Sequence, residues 1–162
     1  MIVKSNTNKK YEGCDNLVIL DENRKNTPIR LLQITDMQFI DSSQLRNHDR
    51  LRIDEINAWK RENFNVECAD HIRALVAQTN PDLIFITGDI VYGEFDDSGS
   101  SLEWFCSFMD SFKIPWAPVY GNHDNESKRG VKWQNAMYEN SEYCLFKTGK
   151  VSGNGNYTVG IV

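Results

Sequence analysis

The sequence has no long hydrophobic run and no apolar segment near its beginning. A membrane-spanning helix needs about 20 consecutive apolar residues, and no window of this chain approaches that length. The opening segment MIVKSNTNKKYEG also lacks the apolar stretch that a secretory signal carries. From these absences we expect a cytoplasmic protein with no membrane partner.

Cysteine and histidine are also scarce. The four cysteines are Cys14, Cys68, Cys106 and Cys144, and the three histidines are His48, His71 and His123. There is no Cys-x-x-Cys pair and no zinc-finger spacing, so we expect reduced thiols rather than a disulfide framework or a structural zinc site. His48 lies in a charged loop and His71 in a predicted helix, so neither is expected to bind metal.

No excess of positive charge is present. The 162 residues carry a formal net charge of −5, with 25% charged and 40% hydrophobic residues. A mildly acidic chain is a poor match for the nucleic-acid backbone, so no nucleic-acid partner is expected. The balance of charged and apolar residues is typical of a single globular domain of this length.

Apolar periodicity predicts alternating strands and helices. Strands are predicted at 17–21, 29–35, 83–87, 116–120, 143–147 and 156–162, and helices at 66–79, 100–112 and 128–139. The first two strands are predicted to form a hairpin, and Ser100-x-x-Glu103 predicts a capping box for the second helix. This order is typical of an α/β domain with a mainly parallel sheet. The last strand pattern reaches Val162 without a turn, from which we expect a truncated chain.

Polar residues with metal-binding chemistry follow three of the predicted strands. Asp36 follows the second strand, Gly88-Asp89 the third, and Gly121-Asn122-His123-Asp124 the fourth. Because functional residues of α/β proteins lie at the carboxyl ends of the strands, we expect these side chains at one edge of the sheet. Carboxylate, amide and imidazole groups are ligands of divalent cations. Taken singly, Asp36 and Asp89 also fit ordinary turns, whereas GNHD is a more restrictive pattern.

The series D-x-(H), GD and GNH(D/E) resembles the calcineurin-like metallophosphoesterases. The match covers 29–124, and the segments ITGDIVYG and VYGNHDNES are similar to the purple-acid-phosphatase-like branch. The resemblance implies an α/β/β/α sandwich, with residues 1–162 as the N-terminal part of a single domain that lacks its C-terminal, ligand-bearing half.

The same resemblance implies roles for the residues at the strand ends. Asp36 would bind the first metal, Asp89 would bridge both metals, and Asn122 would bind the second. His123 would protonate the leaving group or stabilise the transition state, and Asp124 would orient or tune His123. Two divalent or mixed-valence ions (Mn, Zn or Fe) would supply a hydroxide for attack on a phosphate ester. The expected substrate is a phosphorylated small molecule or a phosphoprotein.

Two departures from the family pattern leave alternatives open. Gln38 stands where the usual pattern has histidine, and an amide is a weaker metal ligand than imidazole. In the purple acid phosphatases, which the chain resembles, that histidine is also missing. Tyr92 lies three residues after Asp89, as does the iron-binding tyrosine of purple acid phosphatases, so it is either a ligand or a packed aromatic. The family's distal histidines have no counterpart in this sequence. The alternative to an enzyme is therefore a catalytically inactive relic or a binding module, and a weaker third option is an iron-tyrosine redox protein.

Overall fold

The structure is a computed structural model that describes residues 1–21, 24, 27–45, 51–60, 63–150 and 152–162, without the side chain of Lys60. His48, which was expected not to bind metal, lies outside the described residues. The strands are β1 Ile2–Val3, β2 Asn16–Val18, β3 Leu31–Ile34, β4 Phe39–Ile40, β5 Leu83–Thr87, β6 Val91–Tyr92, β7 Trp116–Val119 and β8 Val159–Ile161. The helices are α1 Ile53–Lys60, α2 Phe64–Thr79, α3 Ser100–Ser111 and α4 Val131–Asn140. This is a mixed α/β protein, as predicted.

The central sheet has the strand order β3-β5-β7, and both pairs are parallel. Strand β5 lies in the middle because its residues are apolar on both faces. Ile84 and Ile86 point into the larger core, and Leu83 points into a second, smaller one. All three side chains are fully buried. The carboxyl ends of the three strands therefore meet at one edge, where the predicted site residues follow.

Helices α2, α3 and α4 contribute to the larger core on one face of the central sheet. In α2 the buried residues recur at helical spacing, at Ala69, Ile72 and Val76. Helix α3 also buries an apolar face, which includes Leu102, Phe105, Cys106 and Met109. Burial of these apolar faces stabilises the helices on the sheet.

A small second sheet, with the order β1-β2-β8, packs against the opposite face of the central sheet. Its strand β2 pairs with β1 in antiparallel and with β8 in parallel orientation. The predicted hairpin of the first two long strands is therefore wrong. Strand β3 pairs with β5 instead, since the apolar β5 needs a neighbour along each edge to satisfy its backbone.

Two further predictions about local structure are corrected. The N-cap of α3 is Gly99, whose carbonyl accepts from the N–H groups of Leu102 and Glu103, and no side chain caps this helix. The capping box is therefore wrong, because Ser100 already lies inside the helix and its hydroxyl donates to Asp41. The strand predicted at 143–147 is reduced to a single bridge between Trp116 and Cys144.

A helix that spans a membrane must be both long and apolar. None of the helices within the described ranges is long and apolar enough to span a bilayer.

Candidate functional site

Three loops that follow the central strands are joined by backbone hydrogen bonds. The N–H of Asp36, after β3, donates to the carbonyl of Gly88, after β5, at 3.1 Å. The N–H of Gln38 donates to the carbonyl of Asp89 at 2.9 Å. The N–H of His123, after β7, donates to the Oδ1 atom of Asp89 at 3.0 Å. The structure thus brings the loops of the predicted site residues to one edge of the sheet.

Side-chain exposure differs among the predicted residues at this edge. Asp89 is buried, with 7% of its surface exposed, whereas Asp36 and Asn122 are exposed. Gln38 and His123 are half-buried. The site is therefore an open rim next to the buried carboxylate of Asp89.

Three residues of these loops have positive φ angles. Asp36, Gln38 and Asp89 have φ angles of 56°, 46° and 52°, which lie in the left-handed region that residues with a Cβ rarely adopt. Each such residue costs about 1–3 kcal/mol unless its surroundings impose the conformation. The hydrogen bonds between the loops impose it here, and clusters of this kind occur preferentially at functional sites.

Gly88 and Gly121 allow two of these loops to touch. A Cβ placed on Gly88, whose φ is +97°, would lie 2.6 Å from the Cα of Gly121. A Cβ placed on Gly121 would lie 2.1 Å from the Oδ1 atom of Asp89. No side chain fits at these distances, so the glycines in the GD and GNHD sequences are required by close backbone approach.

The carboxylate of Asp124 joins the loops after β5 and β7 by hydrogen bonds. This carboxylate is fully buried and accepts hydrogen bonds from the N–H groups of Asp89, Ile90, Val91 and Gly121 at 2.7–3.2 Å. Burial raises the pKa of Asp124, and these four hydrogen bonds oppose that rise. The Asp124 carboxylate accepts these hydrogen bonds from backbone rather than from the His123 ring, which differs from the orienting or tuning role that the resemblance implied.

Glu126 occupies the place beside the His123 ring instead. The Nδ1 atom of His123 lies 2.8 Å from the Oε2 atom of Glu126, and both side chains are about three-quarters buried. A 3-10 turn over Asp124–Glu126 creates this contact by bringing residues three apart onto one side. Glu126 was not predicted as a site residue, although the His-x-x-Glu spacing that places it is visible in the sequence.

The Tyr92 ring packs against His123 and Trp59. Its ring centroid lies 4.3 Å from that of His123, with an interplanar angle of 32°, and 5.5 Å from that of Trp59. Of the two roles predicted for Tyr92, the packed aromatic accounts for these contacts, and its role as a metal ligand stays a prediction. His71 lies on the exposed face of α2, as expected.

The donor set of the described residues does not fit the two-metal centre that the resemblance implies. Within the described part of the chain, no three side chains of His, Cys, Asp or Glu are grouped so that they could hold a metal ion. Among the ligands that the resemblance implied, Asp36 and Asp89 are carboxylates, whereas Asn122 and Gln38 are neutral amides. A pair of divalent ions ordinarily takes more charged or imidazole ligands than these residues offer.

Comparison with known proteins assigns the family. The family model described as calcineurin-like phosphoesterase matches residues 29–159. The chain therefore belongs to the calcineurin-like phosphoesterase family, whose members typically bind metals and act on phosphate esters. No solved structure matches the chain significantly.

Three of the distant curated relatives carry the name of purple acid phosphatases. Probable inactive purple acid phosphatase 29 of Arabidopsis thaliana is 28% identical over 108 residues, which are 63% of this chain and 25% of the relative. Probable inactive purple acid phosphatase 28 of the same plant is 31% identical over 105 residues, 64% of this chain and 25% of the relative. Probable inactive purple acid phosphatase 14 is 38% identical over 58 residues, 35% of this chain and 14% of the relative. The chain thus spans about a quarter of the length of the first two.

Proposed function

We propose that this chain is a non-catalytic binding module with the fold of the calcineurin-like phosphoesterases. The observation that carries the proposal is Gln38. At this position the usual pattern of the family has histidine, and here a neutral amide lines a pocket with Trp59 and Tyr92. An amide oxygen is a weaker ligand than imidazole for a transition metal. Glutamine in place of histidine therefore lowers the affinity for metal at a position next to Asp89.

The names of the relatives support the same proposal. All three Arabidopsis proteins are called probable inactive purple acid phosphatases. Those names describe those proteins, and they favour an inactive role here because this chain is similar to them over the part that matches.

The proposal is tested by a phosphatase assay of the longest gene product, with manganese, zinc or iron added. We expect the wild-type protein to release no more phosphate than its Asp89→Asn variant, which keeps the size of the side chain and removes its charge. Methyl phosphate and p-nitrophenyl phosphate serve as an unactivated and an activated substrate. Turnover by the wild type that Asp89→Asn abolishes would contradict a non-catalytic module.

The pairing of His123 with Glu126 favours a second candidate, a metal-dependent phosphoesterase in the complete protein. An imidazole whose Nδ1 atom is held by a carboxylate presents its Nε2 atom in a fixed direction, as a general acid requires. His123 would then give a proton to the departing alcohol of a phosphorylated small molecule or a phosphoprotein. The remaining ligands for two Mn, Zn or Fe ions would have to come from residues outside this sequence.

For the second candidate, two substrates with different leaving groups show whether Glu126 assists proton transfer or only supports the structure. Replacing Glu126 with alanine would slow hydrolysis of methyl phosphate more than that of p-nitrophenyl phosphate, since only the poorer leaving group depends on a proton. Equal losses for both substrates would exclude a role of Glu126 in proton transfer to the leaving group.

We further propose that the complete domain is the α/β/β/α sandwich of the family. The small sheet covers only part of one face of the central sheet, and it leaves Leu31 and Val119 at 53% and 44% exposure. A C-terminal half that extends the second sheet would cover these residues. A structure of a longer gene product in which Leu31 and Val119 remain exposed would contradict this arrangement.

A further inference from the structure

The sequence contains one asparagine that is followed directly by glycine, Asn154-Gly155. Asn154 is exposed, and the pair lies in the irregular segment between α4 and β8. Asparagine is among the thermolabile residues of proteins. Its side-chain amide carbon lies within reach of the backbone nitrogen of the next residue, so the accessibility of that nitrogen decides how labile each asparagine is.

The backbone nitrogen of Gly155 is accessible in this sense. Within the described ranges, the N–H of Gly155 donates no hydrogen bond. Gly155 has no side chain that could shield its own nitrogen, and its φ of +72° lies in the region that glycine adopts without strain. Neither a hydrogen bond nor a Cβ therefore hinders an approach of this nitrogen to the side chain of Asn154.

Two other exposed asparagines, Asn125 and Asn140, are placed differently. The nitrogen that follows Asn125 belongs to Glu126, and its N–H donates to the carbonyl of His123 at 2.9 Å. The nitrogen that follows Asn140 belongs to Ser141, and its N–H donates to two carbonyls of α4 at 3.1 and 3.2 Å. A nitrogen engaged in this way must lose its hydrogen bond before it can attack, which slows the reaction.

We propose that Asn154 is a site of spontaneous deamidation, which converts it to aspartate and isoaspartate. The nitrogen of Gly155 gives its proton to solvent and attacks the Cγ atom of Asn154, and the new N–C bond closes a succinimide ring as ammonia leaves. Water then adds to a ring carbonyl. Cleavage of the bond between the nitrogen and Cγ gives aspartate, whereas cleavage of the original peptide bond gives isoaspartate, whose backbone runs through Cγ.

Isoaspartate does not fit the packing around this loop. A Cβ placed on Gly155 would lie 2.7 Å from the Cε2 atom of Phe146, so the lengthened backbone has no room to move toward that ring. The Oδ1 atom of Asn154 accepts from Nδ2 of Asn135 at 3.3 Å, and Oδ1 of Asn135 accepts from the Tyr120 hydroxyl at 2.7 Å. Isoaspartate displaces the first of these acceptors, whereas aspartate keeps both the chain length and an oxygen at the same place.

The test compares the rates at which three asparagines of the same protein are converted. The longest gene product is aged in mildly alkaline buffer, and the products at Asn154, Asn125 and Asn140 are measured by peptide mapping with mass spectrometry. We expect Asn154 to convert at least about tenfold faster than the other two, a difference of about 1.4 kcal/mol in activation free energy. Ageing in urea should narrow this ratio, because unfolding frees the N–H groups that follow Asn125 and Asn140.

Two variants at the exposed position 154 locate the site and its consequence. Asn154→Gln keeps the amide but closes a less favourable ring, so it should remove most of the isoaspartate that the aged wild type accumulates, as measured by enzymatic methylation of isoaspartate. Asn154→Asp should unfold within about 1 °C of the fresh wild type, whereas aged protein rich in isoaspartate should unfold about 2–4 °C lower.

Equal conversion rates of the three asparagines in the folded protein would overturn the inference, and so would isoaspartate that forms undiminished in Asn154→Gln. A ratio of rates that urea leaves unchanged would contradict the protection of Asn125 and Asn140 by hydrogen bonds. An aged protein as stable as the fresh one would overturn the predicted loss of packing at Gly155. None of these measurements depends on metal binding or turnover, so the outcome is independent of the non-catalytic proposal.

Discussion

The buried carboxylate of Asp124 accepts a hydrogen bond from the backbone N–H of Asp89 at 2.9 Å, and the same carboxylate bonds to three more N–H groups. We predict that Asp124→Ala lowers the free energy of unfolding by about 3–5 kcal/mol, because it leaves buried N–H donors without an acceptor. The measurement is urea-induced unfolding followed by circular dichroism.

A matched carboxylate on the surface provides the control for Asp124. Asp70 lies on α2 with 63% of its side chain exposed and pairs with Arg73. Asp70→Ala should change the free energy of unfolding by less than about 1 kcal/mol. Similar losses for Asp124→Ala and Asp70→Ala would show that the hydrogen bonds to the strand-end loops contribute little.

The contact between Gly121 and Asp89 makes a second prediction. Gly121→Ala should destabilise the protein by more than about 2 kcal/mol, since its Cβ would lie 2.1 Å from the Oδ1 atom of Asp89. Gly130→Ala is the control, because a Cβ there meets nothing within 4 Å although its φ of +75° still costs about 1 kcal/mol. Thermal unfolding of the two variants measures the difference. A smaller shift for Gly121→Ala than for Gly130→Ala would contradict the close approach of the loops.

Asp41 makes the third prediction, which concerns pH. Burial alone would raise its pKa, but hydrogen bonds from Ser43, Ser98 and Ser100 lower the pKa from its ordinary value of 3.8 to about 2. A lowered pKa in the folded state means that the stabilisation is present above about pH 4 and is lost as the pH falls toward 2. The stabilisation that is lost between these pH values amounts to about 2 kcal/mol.

The measurement for Asp41 is the free energy of unfolding of the wild type and of Asp41→Asn between pH 6 and pH 2. We expect the wild type to lose more stability over this range than the variant, because asparagine does not titrate. Parallel pH profiles for the two proteins would mean that the Asp41 carboxylate is not held in its charged form by these serines.

The fourth prediction separates the two roles of Tyr92. A phenolate bound to ferric iron gives a visible charge-transfer colour, whereas a packed aromatic gives none. Since the Tyr92 ring stacks on His123 and contacts Trp59, we expect the protein incubated with ferric iron to stay colourless. A visible absorption band that disappears in Tyr92→Phe would show that Tyr92 is a ligand and would revive the redox interpretation.

Local patterns in the sequence predicted the elements with strong periodicity. Strand β5 and helix α2 were expected at 83–87 and 66–79, and they are observed at Leu83–Thr87 and Phe64–Thr79. Helix α2 ends at Asn80, which precedes Pro81 and adopts the left-handed conformation of a helix end, with φ 43°. These elements depend on burial of their own apolar faces, which the sequence displays directly.

Strand pairing could not be predicted in the same way. Strand β2 pairs with β8, where Leu17 lies opposite Gly160. Such long-range pairing depends on which apolar faces remain uncovered after the central sheet has formed. The prediction instead paired β2 with the next strand in the sequence, which is the wrong partner. The predicted hairpin failed for this reason.

The candidate site was predicted in part. The loops of Asp36, Asp89 and Asn122 were expected at one edge, because parallel strands place their carboxyl ends together. The hydrogen bonds of Asp124 and the place of Glu126 depend on the exact path of a 3-10 turn, which periodicity does not reveal. The metal-binding and catalytic roles of these residues and the cytoplasmic location remain predictions.

The most direct test of the non-catalytic proposal is the metal content of the longest gene product. The protein is purified without chelators, and manganese, zinc and iron are measured per chain by mass spectrometry, with Gln38→His as a comparison that restores the imidazole. We expect near zero ions per chain in the wild type and a higher content in Gln38→His. Two ions per wild-type chain, lost in Asp89→Asn, would contradict the proposal and favour a working phosphoesterase.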